Sequence, residues 1–276
     1  VSDPGPEQRR SRLPVGLGWN LGVAGAGGVL LTFMLLPIVA LVATLSWDEL
    51  VAGLQHPSVM PALKLSLTTT LISLSVVVVL GTPLAWLLSR REGRWVKLVE
   101  TLVRLPVVLP PAVAGVALLL AFGRMGLIGK WFGWKIPFTT TAVVMAEIFV
   151  SAPFYLQSAT SAFRGIDESL LTVARTLGAS PARVFFRVAL PLVAPALIAG
   201  AAMSWARALG EFGATLMFAG NLQGETQTLT LAVYTTFESD MRAAQAISLV
   251  LVAVAFTLLY TLTLKTGRQP AAASGR

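Results

Sequence analysis

The sequence contains no cysteine and a single histidine, His56. The first absence excludes a disulfide framework, a thiolate metal site and a cysteine nucleophile. The second leaves histidine metal chemistry without a second ligand. Because His56 falls between apolar runs, it is also badly placed to be the base of an intramembrane serine hydrolase. Charge is scarce: Asp, Glu, Lys and Arg make up 12% of the chain against 55% hydrophobic residues. A phosphate-binding loop is missing as well. Gly126-Leu127-Ile128-Gly129-Lys130 has the wrong spacing and runs into Trp131, where GxxxxGK requires Ser or Thr next. The chain therefore shows no energy source of its own.

What is present is long apolar sequence, with a mean hydropathy of +0.75. The runs are continuous rather than alternating, which argues for spanning helices and against a transmembrane β-barrel. Six spans are expected: 21–45, 63–88, 105–122, 139–163, 188–220 and 243–264. Gly22, Gly25, Gly27 and Gly28 in the first permit close helix approach. Pro37 is expected to kink it, and Pro106, Pro110 and Pro111 to bend or break the start of the third.

The net charge of +8 sits in short loops, as a topology signal does, and does not point to nucleic acid. Three basic residues lie in the N-terminal tail, five in 90–104, four in 164–187 and three at the C-terminal end, fifteen of the 21 Lys and Arg. The positive-inside rule then puts both termini in the cytoplasm. The expected organisation is a cytoplasmic tail (1–20), an all-α polytopic transmembrane domain (21–266) with a cytoplasmic loop at 164–191, and a second cytoplasmic tail (267–276). The basic loop at 123–137 is the one feature that runs against this assignment.

The most structured stretch is 164–221. Asp167 or Ser169 can N-cap a short helix, with Leu170, Leu171, Val173, Ala174 and Leu177 apolar and Arg164 and Arg175 at its edges. Gly178 suits the left-handed position that ends a helix, and Ser180-Pro181 reads as N-cap and first turn of the next. A helix–turn–helix in a soluble protein would suggest DNA; between two membrane spans it does not. A plain interfacial anchor is the simpler local alternative.

Gly178, then nine residues beginning with Ala179 and Ser180, then Val188-Ala189-Leu190-Pro191 resemble the EAA loop of bacterial ABC importer permeases. The run ARALGEFGATLMFAGN (206–221), followed by TQTLTLAVY (226–234), is similar to the molybdate/tungstate (molybdate–sulfate) permease family. The resemblance implies a permease of a bacterial or archaeal cytoplasmic membrane, surrounded by lipid and acting as a homodimer. Two separate ATPase subunits would supply ATP and Mg, and an extracytoplasmic binding protein would deliver the oxyanion. The permease itself would be a transport subunit, not an enzyme, and would carry no cofactor. Molybdate or tungstate is the implied cargo, with sulfate or thiosulfate as the alternative. It further implies that Arg164, Asp167, Glu168, Thr172, Ala174, Arg175, Gly178, Ala179, Ser180, Leu190 and Pro191 belong to the ATPase-coupling segment. One departure stands out: Thr172, Val173 and Ala174 occupy the Glu-Ala-Ala positions, so the usual carboxylate is absent. Asp167 or Glu168 would compensate, or docking would rest on shape and on Arg164 and Arg175.

Ionisable residues inside spans are costly and default to functional candidates. Arg207 and Glu211 are four apart and expected to pair; Ser204, Ala208, Glu211 and Thr215 would continue one polar face of the fifth span. These residues, with Glu147 and Asn221, are the candidates for a translocation pathway. For Arg207–Glu211 and for Glu147, a structural role in orienting helices is the competing reading. Ridges of small residues, Ala196-Gly200-Ser204-Ala208 and Ala202-Ala206-Gly210-Ala214, suit tight packing beside that face. A secondary transporter would usually show a repeated half, and none is visible.

Overall fold

The computed structural model describes residues 17–133 and 135–266, and among these there is helix and no strand. The elements in order are α1 (Leu17–Ala43), α2 (Trp47–Leu54), α3 (Val59–Ser89), α4 (Arg94–Val108), α5 (Pro111–Phe122), α6 (Gly129–Phe132), α7 (Thr140–Arg164), α8 (Glu168–Thr176), α9 (Pro181–Val184), α10 (Leu190–Leu209), α11 (Gly213–Ala219), α12 (Leu229–Phe237) and α13 (Met241–Thr266). A π-helical turn, Phe185–Ala189, joins α9 to α10. The described residues divide into two compact units, parted between Ser46 and Trp47. The first contributes α1, which is apolar along its length and carries Pro37 internally. Its helix starts at Leu17, inside the expected tail; the rest of that tail and the expected tail at 267–276 lie outside the described residues.

In the second unit α3 and α7 form a spine, and α10 packs along α7 and also against α3. Three clusters of buried side chains hang on this spine. One joins α3, α7, α8 and α10 through Ala85, Tyr155, Phe163, Leu171 and Val193. Another joins α5, α7 and α11 through Ala114, Val143, Ala146 and Phe218. The third joins α3, α12 and α13 through Ala62, Leu229 and Ile247. Close approach depends on glycine at two places. A Cβ on Gly115 would stand 2.7 Å from the carbonyl oxygen of Ala214, and one on Gly200 2.7 Å from the side chain of Ser158.

Among the described residues five helices are long and apolar enough to cross a membrane, and up to six spans result if α4 and α5 count as one. Those two differ by 117° in direction across Leu109-Pro110, so the expected third span is broken rather than straight. Proline at 110 and 111 holds the preceding residues extended: Leu109 sits at ψ 133° and Pro110 at ψ 134°. The fifth span also departs from expectation. It was expected to run unbroken over 188–220, but the helix stops at Leu209 and resumes only at Gly213. Loops expected at 46–61 and 221–242 contain α2 and α12, whose brevity hid them among polar residues.

Candidate functional site

The loop between α7 and α10 is fastened at several points. Asp167 caps α8 by accepting the Ser169 amide at 2.9 Å, and that bonding holds its exposed carboxyl below the usual carboxylate range. Gly178 takes the left-handed conformation at φ 81°, and the Ser180 hydroxyl accepts the Arg183 amide at the start of α9. Two ion pairs tie this region to neighbouring helices, one at the end of α3 and one at the middle of α4. Arg90, just after α3, pairs with Glu168 and also donates to the Phe163 carbonyl. Arg164 pairs with Glu100 of α4.

Leu171 is fully buried in the cluster under α8, with Ala174 and Ala179 packed beside it and Leu190 at the entry to α10. Pro191 is exposed in the first turn of α10. The apolar side of α8 is therefore divided. Leu171 and Ala174 point inward, while Leu170, Val173 and Leu177 are 49%, 56% and 82% exposed. That outward stripe was hidden in the sequence by the inward pair at overlapping spacing. Separating positions 170, 173 and 177 from 171 and 174 would have found it. Thr172 and Arg175 are exposed next to the stripe, and the Thr172 hydroxyl turns back onto the Glu168 carbonyl at 2.9 Å.

The intramembrane candidates separate into two groups. Glu147 of α7 is buried and accepts hydrogen bonds from Thr69 (2.8 Å) and Ser73 (2.7 Å) of α3. Ser204 of α10 is also buried and donates to the Ser151 carbonyl of α7 at 3.0 Å. Both therefore bind neighbouring helices. The other group surrounds the gap after Leu209. Arg207 and Glu211 form an ion pair, the Glu211 side chain 1% exposed and the Arg207 side chain 28%. The other Glu211 oxygen accepts the Ala214 amide at 2.8 Å, so this carboxylate also closes the first turn of α11. Its backbone carbonyl accepts the Thr230 hydroxyl of α12 at 2.7 Å.

The expectation of one polar helical face from Ser204 to Thr215 is thus corrected. Glu211 lies in the break, and Thr215 is buried on the separate helix α11 with no hydrogen-bond partner for its hydroxyl. Asn221, beyond α11, donates to Thr235 of α12 at 2.7 Å, and Gln227 donates to the same hydroxyl at 3.5 Å. Gln227, Thr230 and Thr235 were not singled out in the sequence because they lie outside the apolar spans. Among the described residues no cluster of His, Asp or Glu is arranged to hold a metal ion.

A helical unit with several candidate spans, a capped, ion-paired loop and a broken polar span is the architecture of a multi-pass membrane protein. The chain belongs to the family of binding-protein-dependent transport system inner membrane components, which matches residues 77–265. It is a transport subunit of the ABC permease class, located in the inner membrane. It is 46% identical over 228 residues to the molybdenum transport system permease protein ModB of Mycobacterium tuberculosis, covering 82% of this chain and 86% of that one. It is 32% identical to the molybdate/tungstate transport system permease protein WtpB of Pyrococcus abyssi, over 89% of this chain and 94% of that one. To the sulfate transport system permease protein CysT of Escherichia coli it is 34% identical, over 83% and 85% respectively. The fold is shared with a bacterial alginate ABC transporter solved in complex with an alginate-bound periplasmic protein. That match has a TM-score of 0.71 at 18% identity and covers 92% of this chain and 96% of that chain.

Proposed function

We propose that this chain is the permease of an ATP-driven importer of molybdate or tungstate. The observation that carries the reading is the 46% identity to a molybdenum permease over 82% of the chain, against 34% to a sulfate permease over a similar share. Two copies form the pathway, with two ATPase subunits on the cytoplasmic side and a binding protein on the other. Both termini lie in the cytoplasm, as the clustering of basic residues supports.

In this reading α8 is the element that engages the ATPase. The exposed stripe of Leu170, Val173 and Leu177 supports it, because such a stripe on a charged loop has a protein groove as its natural partner. It also explains how docking survives with Thr172 in place of a carboxylate: contact area substitutes for charge. The oxyanion route runs past the break between α10 and α11. Arg207, held by Glu211 yet partly exposed, supplies attraction that its own counter-ion moderates, and the hydroxyls and amides near Thr235 supply neutral donors. A route must release its ion as well as admit it.

Uptake of labelled molybdate and labelled sulfate in a permease-deleted strain carrying this chain tests the assignment. Molybdate uptake that tungstate competes away and sulfate does not is the expected result. Sulfate uptake without molybdate uptake overturns it.

A further inference from the structure

Helix α4 has a face that neither the packing nor the transport reading uses. Its partly buried side chains, Val96, Val99, Val103 and Pro106, lie on one side, and Val103 packs into the cluster beneath the loop. A second side is apolar and open: Trp95, Leu98, Leu102 and Leu105 are 79%, 46%, 53% and 45% exposed. A third carries Arg94, Lys97 and Arg104, all exposed, together with Thr101 and, at the last residue of the helix, Val108. With about 100° between successive residues, the open apolar side and the basic side are centred roughly 105° apart.

That arrangement suits a helix lying in the plane of a membrane surface, with acyl chains under one side and headgroups or water against the other. The 117° change of direction into α5 gives the chain such a path. Exposed Trp95 is the residue type that favours this depth. The one acidic residue within the helix, Glu100, is turned inward to Arg164, leaving the basic side without a counter-charge on α4; Glu92 is exposed just ahead of the helix. A cleft of about 160 Å³ opens between α4, α7 and the end of α3, with Glu100, Arg104, Gln157 and Arg164 among its polar lining and Leu88, Val103 and Leu156 its apolar part.

We infer that α4 is a lipid-surface helix, on the side of the membrane where the α7–α10 loop lies, and that Arg94, Lys97 and Arg104 hold anionic phospholipid headgroups. The phosphate nearest Arg104 enters the cleft. Through the Glu100–Arg164 pair, headgroup occupancy is then linked to the position of the loop. This inference is independent of the ion transported.

The test uses the assembled transporter in nanodiscs carrying brominated lipid, which quenches tryptophan on contact. Brominated phosphatidylglycerol is expected to quench more strongly than brominated phosphatidylcholine. The excess disappears in Trp95→Phe, which isolates this tryptophan from the other six of the seven in the chain. Arg94→Gln, Lys97→Gln and Arg104→Gln each raise the half-maximal phosphatidylglycerol fraction roughly fivefold, and added salt weakens the preference. Equal quenching by the two lipids overturns the headgroup site. Quenching by neither overturns the lipid face altogether and leaves a second copy or the ATPase as its cover. If a variant fails to assemble, the comparison of lipids on the wild-type transporter decides.

Discussion

Arg207 and Glu211 are unequal partners, and the inequality separates structure from transport. Glu211 is almost wholly enclosed and has two tasks, pairing with Arg207 and accepting the Ala214 amide; Arg207 keeps part of its side chain open. Arg207→Ala leaves a buried carboxylate with one amide for company, at a cost of about 3 kcal/mol. Glu211→Gln retains an oxygen for the Ala214 amide and costs nearer ~1 kcal/mol. The thermal midpoint of the solubilised assembly is expected to fall in that order. Uptake measured on the same preparations then assigns the role. Loss of transport in Glu211→Gln at near-normal stability marks the pair as part of the route, whereas transport that tracks stability marks it as scaffold.

At the level of elements, α8 is the part whose two sides can be tested apart. Leu171→Ala hollows the cluster beneath it, a change of about 2–5 kcal/mol for a buried leucine, and is expected to lower the melting temperature of the permease. Val173→Ser and Leu177→Ser remove exposed methyl groups instead. They are expected to leave the permease's own melting temperature unchanged and to weaken co-purification of the ATPase; a stable permease that still retains its ATPase would remove α8 from that interface. Much of this element was legible beforehand. Asp167, Gly178 and Ser180-Pro181 announce their caps locally, and the structure finds each in place. The spans were legible for the same reason, since apolar length is a property of neighbouring residues. The failures needed distant partners. The helix break at Gly210–Phe212 is held by Glu211 reaching Ala214 and by Thr230 of α12, and an apolar window cannot show either bond. The π-helical turn at Phe185–Ala189 left no sign in composition, and the α4–α5 bend could be placed near its prolines but not measured.

For the molecule as a whole, the α3–α7 spine decides how the rest is held, because every buried cluster includes one of its two helices. Its two helices are also joined by side-chain bonds: Thr69 and Ser73 to Glu147, and Thr82 with Tyr155 at 2.6 Å. These bonds have a consequence for biogenesis. The ribosome delivers α3 to the bilayer before α7, and α7 is the least hydrophobic of the five unbroken candidate spans among the described residues, at a mean hydropathy of 1.3 against 2.3 for α3. An acidic residue costs about 3 kcal/mol at the translocon when it sits at the centre of an emerging helix, and Glu147, about two turns into α7, bears part of that cost. Here the hydroxyls that receive Glu147 precede it in the chain, so α3 is expected to assist the entry of α7. Thr69→Val with Ser73→Ala is therefore expected to lower the fraction of nascent chains in which α7 integrates, scored by glycosylation tags on the flanking loops. Glu147→Leu in the same background should restore it. Unchanged integration in the double variant would mean that α7 enters the bilayer unaided.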